Sequence, residues 1–203
     1  MSLNRVNIQP ATDEVLKTLD LILVIDHSGS METPSKRLKG KTRYDECAES
    51  AVQAADVMSR YDDDGITLIH FSSATKVTDG VNGDAARELF KEIRPGGGTN
   101  LHLAIDEVGK KARSSAKQIV ALVYTDGEAN DAQAVLDSMN ALGKEFGRPK
   151  IGFCLIQVGD DKGANDFLDM IDNNLKVDIS AHFTEEEAEG LTIQQLIQAA
   201  RTE

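Results

Sequence analysis

Residues 19–25 read LDLILVI, an almost unbroken apolar run at a length typical of a strand. A strand with one wetted face would alternate apolar with polar residues. A continuous run is instead buried on both faces, which requires a sheet with helices packed on each side. Comparable runs recur at 65–71, 119–124, 151–158 and 179–183. Between them lie segments of helical composition at 44–60, 85–93, 101–112, 132–146, 166–171 and 192–201. In the first of these, Ala48, Ala51, Val52, Ala55 and Met58 fall on one side. Residues 75–78 are short and polar and suit a sheet edge. Strand and helix therefore alternate along nearly the whole chain, the pattern of a doubly wound, mainly parallel α/β sheet. No repeat, low-complexity tract or linker interrupts it. The expected division is an N-terminal extension, 1–17, and one domain, 18–203.

Composition narrows the function. The chain carries 34 acidic against 22 basic residues, a net charge of −12. That balance disfavours nucleic acid and anionic membrane surfaces as partners, since both select a basic face. With 4% aromatic residues and no Trp, aliphatic side chains must fill the core. Cys47 and Cys154 lie far apart, with no CxxC pair and no disulfide framework, as suits a reducing compartment. The opening MSLNRVNIQP lacks the apolar stretch of a secretion signal, and apolar runs such as 119–124 are too short to span a bilayer. A cytoplasmic location is expected, and, with no exposed apolar helix or heptad repeat, a monomer.

In open α/β sheets, ligands bind beyond the C-terminal ends of the strands, near the point where strand order reverses. Three loops in such positions carry oxygen-bearing side chains: Asp26-His27-Ser28-Gly29-Ser30, Gly96-Gly97-Gly98-Thr99-Asn100 and Thr125-Asp126-Gly127-Glu128. Hydroxyls and carboxylates without sulfur are hard donors, suited to Mg²⁺, Mn²⁺ or Ca²⁺ rather than zinc or copper. Gly29 lets Ser28 and Ser30 turn toward one point, and Thr99 would arrive from a separate loop. Asp26 and Asp126 would add negative charge, directly or through water. So few direct protein ligands leave a coordination position open for an outside group.

At these residues the chain resembles the von Willebrand factor A domains, including the inserted domain of integrins. Asp26-x-Ser28-x-Ser30, Thr99 and Asp126-Gly127 match that family's metal-ion-dependent adhesion site, and the resemblance spans roughly 18–200. It implies a six-stranded sheet with one antiparallel edge strand, for which 75–78 is the candidate. It also implies that Ser28, Ser30 and Thr99 ligate the ion, usually Mg²⁺, while Asp26 and Asp126 act mainly through water. The implied function is non-enzymatic: a cation that bridges the domain to an Asp or Glu carboxylate of a protein partner. A switch comes with the resemblance, in which the Thr99 loop moves onto the ion and the last helix shifts. Without a closing disulfide or a signal, the chain looks more like stand-alone bacterial intracellular members, including those of tellurium-resistance and stress systems.

Other readings stay open. Asp26 at a strand end could serve a Mg²⁺-dependent phosphohydrolase or phosphotransferase, although such nucleophiles want a second Asp where Ser28 stands. No phosphate-binding glycine loop follows the first strand, and no GxSxG is present. The domain could also be structural, with its site unused. Residues 32–43 hold Lys36, Arg37, Lys39, Lys41 and Arg43 and are either a solvated, mobile loop or a basic rim that steers an acidic partner. Glu128, Asn130 and Asp131 either touch the ion or cap the next helix, and Asn100 is a candidate N-cap. The acidic run 185–189 reads as a solvated loop or helix start. His27 reads as a loop residue, and His70 and His102 as satisfied structural ones.

Overall fold

The computed structural model describes residues 8–127 and 129–202. A six-stranded sheet runs in the order β3-β2-β1-β4-β5-β6. Its strands are β1 (Leu19–Asp26), β2 (Ile66–Phe71), β3 (Thr75–Val81), β4 (Gln118–Thr125), β5 (Ile151–Gln157) and β6 (Ser180–Phe183). All neighbours are parallel except β3, which pairs antiparallel with β2 at the edge. Around the sheet lie α1 (Asp13–Leu16), α2 (Arg43–Met58), α3 (Gly83–Glu92), α4 (Leu101–Ser114), α5 (Ala132–Phe146), α6 (Lys162–Asn173), α7 (Glu185–Glu189) and α8 (Ile193–Thr202).

The 19–25 run behaves as its composition requires. Leu21, Leu23 and Ile25 face one layer, packed with Ala51 and Met58 of α2 and Leu196 and Ile197 of α8. Ile22 and Val24 face the other, with Ile105 and Val108 of α4 and Val135 and Met139 of α5. Both layers are apolar, so β1 has no polar face to show. Across the sheet, Gly152 of β5 permits the close approach of α8: a Cβ there would lie 2.0 Å from the Ala200 carbonyl oxygen. The buried stripe of α2 is rotated from the expected one. Cys47, Ala51, Ala54, Ala55 and Met58 are buried, while Ala48 and Val52 are only partly covered.

Residues 8–17 pack on the same body. Ala11 and Leu16 are buried, and the Ala11 amide donates to the Gln194 carbonyl at 3.0 Å. The polar edge strand β3 carries Lys76 and Asp79, charges that discourage pairing with another chain. Both cysteines are buried, with no disulfide between them. No helix among the described residues is long and apolar enough to cross a membrane.

Strand order decides where a ligand could sit. The chain winds outward from β1 in one direction to β2 and β3, then returns to β4 and continues the other way. The switch point therefore lies between β1 and β4, whose C-terminal ends are Asp26 and Thr125.

Candidate metal centre

Three loops meet at that switch point, each held there by backbone bonds. The His27 amide donates to the Phe71 carbonyl at 2.9 Å, and the Gly96 amide to the His27 carbonyl at 2.7 Å. Gly29 donates to the Gly97 carbonyl at 3.3 Å, and Asn130 to the Thr99 carbonyl at 2.9 Å. The loops after β1, α3 and β4 are thus tied to one another before any side chain is considered.

Four of the five proposed site residues form one hydrogen-bonded cluster. Asp26 Oδ1 accepts the Ser28 amide at 2.7 Å, and Asp26 Oδ2 accepts the Thr125 hydroxyl at 2.6 Å. The Ser28 and Ser30 hydroxyls lie 3.1 Å apart. Ser30 donates to Asp126 Oδ1 at 2.7 Å. Thr99, the fifth, is placed by its loop; its hydroxyl has no hydrogen bond among the described residues and stays available. Asp26 is fully buried, and Ser28, Asp126 and Thr99 are nearly so. Glu128 lies outside the described residues.

Burial without a counter-charge is costly for an anion. It pushes the Asp26 carboxyl up to about 6, with the Thr125 hydroxyl and Ser28 amide pulling the other way. Asp126 is differently placed. Its second oxygen, Oδ2, accepts Arg43 Nη1 at 2.8 Å, and Arg43 Nη2 reaches Asp161 Oδ2 at 2.8 Å. Burial works against that guanidinium's charge, but the bonds to Asp126 and Asp161 outweigh it and hold its pKa above the usual value.

The basic segment 32–43 is largely solvent-exposed, as the loop reading expects, but it is folded on itself and most of its cations are paired. Its backbone closes on itself, with Ser35 donating to the Lys41 carbonyl at 2.8 Å and Arg43 to the Thr33 carbonyl at 2.9 Å. Lys36 pairs with Asp160, Arg37 with Glu46 and Glu189, and Arg43 with Asp126 and Asp161. Three of the five cations are consumed internally, leaving Lys39 and Lys41 as solvent-facing charges.

Other expectations sort as follows. Asp131 caps α5, accepting the Ala134 amide at 2.9 Å, and Asn130 donates to the Asn100 side chain at 2.9 Å. Asn100 occupies the N-cap position of α4 but makes no side-chain capping bond, because its side chain is spent on Asn130 and the Ser73 carbonyl. Residues 185–189 form α7, opened by a reciprocal cap between Thr184 and Glu187. His27 is more than a loop residue: its Nε2 lies 3.1 Å from the Ser72 hydroxyl and its ring stands edge-on to His70. His70 is structural but not satisfied, since among the described residues neither ring nitrogen has a partner, and one nitrogen of His102 likewise has none there. The sequence places Thr125 in the third loop but does not foretell its bond to Asp26, nor the bond of Arg43 to Asp126.

Chemically, the cluster offers carboxylate and hydroxyl oxygens only. Among the described residues no three His, Cys, Asp or Glu side chains converge as a metal cage, so any ion here must rely on hydroxyls. The hydrogen-bonding oxygens of Asp26 each keep a second lone pair. That donor set fits a hard divalent cation and no soft metal.

The matching family model is the von Willebrand factor type A domain, over residues 20–199. The chain belongs to this family. Its members are known for metal-dependent protein interaction and are mostly non-enzymatic. Among solved structures, a manganese-loaded TRAP protein of Plasmodium vivax is similar at 22% identity and a TM-score of 0.63, covering 90% of this chain and 74% of that one. A von Willebrand factor type A protein from Catenulispora acidiphila follows at 14% identity and a TM-score of 0.61, over 91% and 41%. The SpRpn10 VWA domain reaches a TM-score of 0.65 at 11% identity, over 88% and 97%. At these identities the likeness speaks for the fold. No curated protein sequence matches the chain.

Proposed function

We propose that this von Willebrand A domain is a cation-dependent protein-binding module. Ser28, Ser30 and Thr99 ligate a divalent ion, Asp26 and Asp126 act through bound water, and a partner's Asp or Glu completes the shell. Mg²⁺ is the favoured ion on donor hardness, with Mn²⁺ and Ca²⁺ as alternatives. The observation that carries this reading is the buried cluster at the β1/β4 switch point, in which Asp26 has no cationic partner among the described residues. A divalent ion would supply the missing charge. Support also comes from the P. vivax structure, a similar fold that is manganese-loaded.

The same geometry weighs against Asp26 as a nucleophile. Its carboxylate is fully buried, so its remaining lone pairs suit a small ion or a water better than a bulky incoming phosphoryl group. For the cellular setting we propose a cytoplasmic monomer of the stand-alone bacterial kind, a reading supported by two buried cysteines that form no disulfide.

Calorimetric titration of the metal-free protein with Mg²⁺, Mn²⁺ and Ca²⁺, beside Ser28→Ala, tests the site. Saturable binding in the wild type that Ser28→Ala weakens at least tenfold supports the proposal. A folded wild type that binds none of the three, even with acetate present as a surrogate carboxylate, overturns it.

A further inference from the structure

Arg43 stands where elementary electrostatics would not put it. It is the first residue of α2, and the N-terminal turn of a helix carries partial positive charge that favours acids over bases. The chain nevertheless buries this guanidinium, leaving 7% of the residue exposed, and aims Nη1 at Asp126 Oδ2. Space has been made for it. Gly159 has φ +77°, and a Cβ there would fall 2.6 Å from Cζ, Nε and Nη2 of Arg43. Asp161 holds the other guanidinium nitrogen from outside. A helix position, a glycine and a second carboxylate thus converge on keeping one fixed positive charge against the site.

From this geometry we infer that Arg43 is a resident cation that competes with the divalent ion for the charge of Asp126, and so sets the metal affinity of the site low. The inference rests on the reading that the site holds such an ion. Asp126 is shared: Oδ1 faces Ser30 and the proposed ion, while Oδ2 faces Arg43. Two positive charges on either side of one buried carboxylate repel across a short, poorly screened distance. Arg43 also orients that carboxylate, which by itself would help the ion. The orienting benefit is the rotamer freedom of one short side chain, smaller than the repulsion between a full charge and a double one. Repulsion therefore wins. An ion held loosely by the chain alone is held firmly only once a further negative group arrives, and the partner's carboxylate is such a group. Arg43 thereby couples loading of the ion to arrival of the partner.

Charge and orientation separate in two substitutions. Arg43→Gln removes the charge and leaves an amide too short to reach Asp126 as Nη1 does, whereas Arg43→Lys keeps the charge and loses the planar fork, so the two differ chiefly in charge. Metal affinity is read by calorimetry, and thermal unfolding is followed with and without Mg²⁺. Arg43→Gln should bind Mg²⁺ and Mn²⁺ at least tenfold more tightly than the wild type. Its melting temperature should fall without metal and recover when Mg²⁺ is added. Arg43→Lys should stay within threefold of the wild type in metal affinity, and its metal-free melting temperature should stay closer to the wild type's than that of Arg43→Gln. If Arg43→Gln binds no tighter than the wild type, Arg43 only orients Asp126 and the inference fails while the cation site stands. If neither wild type nor folded Arg43→Gln binds an ion, with or without acetate, the cation reading itself fails.

Discussion

Strand β1 carries an aspartate at each end, and the two are treated oppositely. Asp20, near its start, is a third exposed in its side chain; Lys117 lies 3.0 Å from one oxygen and Ser115 donates to the other at 2.5 Å. The same lysine reaches Asp62 at 3.2 Å, and Lys111 closes on Asp79 at 2.6 Å nearby. Burial opposes the Lys117 charge, yet its bonds to Asp20 and Asp62 prevail and hold its pKa above the ordinary value. At that end acids and lysines cancel, around an open cleft of about 310 Å³. Asp26, seven residues into the same strand's far end, is fully buried, has no ion pair among the described residues, and is surrounded by hydroxyls. A count of carboxylates does not distinguish the ends. What distinguishes them is burial without a counter-ion, and only there does a divalent cation repair a deficit.

The sharpest way to break this contrast is to neutralise each aspartate without changing its shape. In Asp26→Asn the amide oxygen still accepts the Ser28 amide, and the Thr125 hydroxyl can turn to accept from the new donor. The fold should survive, with thermal stability equal to or above that of the metal-free wild type, because a poorly solvated charge has gone. Cation binding should weaken at least a hundredfold by calorimetry. Asp20→Asn should leave cation affinity within twofold and lower stability by no more than about 1 kcal/mol, as for other half-exposed pairs. Comparable losses of binding in both variants would mean that net acidity, not the buried cluster, attracts the ion.

A smaller effect probes the paired end directly. Lys117→Met leaves the nearly buried Asp62 side chain without its cation. Because Lys117 is itself over a third exposed, solvent should soften the loss to about 1–2 kcal/mol in urea unfolding. Cation binding should not change. A loss of metal affinity in this variant would show that the two ends communicate through β1.

Much of this organisation was legible in the chain itself. Continuous apolar runs placed the strands to within a few residues, because a strand covered on both faces leaves that mark locally. The short α1 and the 3-10 turn Gly29–Glu32 leave no such mark, since four residues are too few for a helical period to register. The candidate site was visible as residue types at three loops. Its assembly was not, because Asp26 and Asp126 meet only through the adjacency of β1 and β4, and no local pattern states which strands are neighbours. In the sequence Arg43 is one of five cations in a run. Its burial depends on Asp126, Gly159 and Asp161, all more than eighty residues away, and no local pattern carries such information. Asn100 is the converse case, a sound capping residue whose side chain a distant asparagine claimed.

The smallest effect concerns His70, a second uncompensated group at the same end of the sheet as Asp26. Its ring packs against Tyr44, Phe90 and His27, Lys76 faces it across the β2–β3 ladder, and neither nitrogen has a partner among the described residues. Burial, with small contributions from His27 and Lys76, drives its pKa down to about 3. The folded state therefore keeps the ring neutral while the unfolded chain takes up a proton below the ordinary value of 6.5. Stability from this group is full above 6.5 and is lost as the pH falls toward 3. Asp26 slopes the other way: held near 6 against an ordinary 3.8, it contributes stability below 3.8 that is lost as the pH rises through 6. Over the interval the two share, they partly cancel in the wild type. His70→Leu removes one slope and leaves the other. Relative to its own value at pH 7.5, the variant should therefore gain about 1 kcal/mol over the wild type at pH 5.5, since one pH unit below the unfolded pKa corresponds to roughly that amount. Urea unfolding of both proteins at the two pH values, without divalent cations, measures the difference. If the two pH profiles are parallel, His70 accepts its proton in the folded state as readily as in the unfolded chain. Of the two groups, Asp26 would then be the one whose charge the fold leaves unanswered among the described residues.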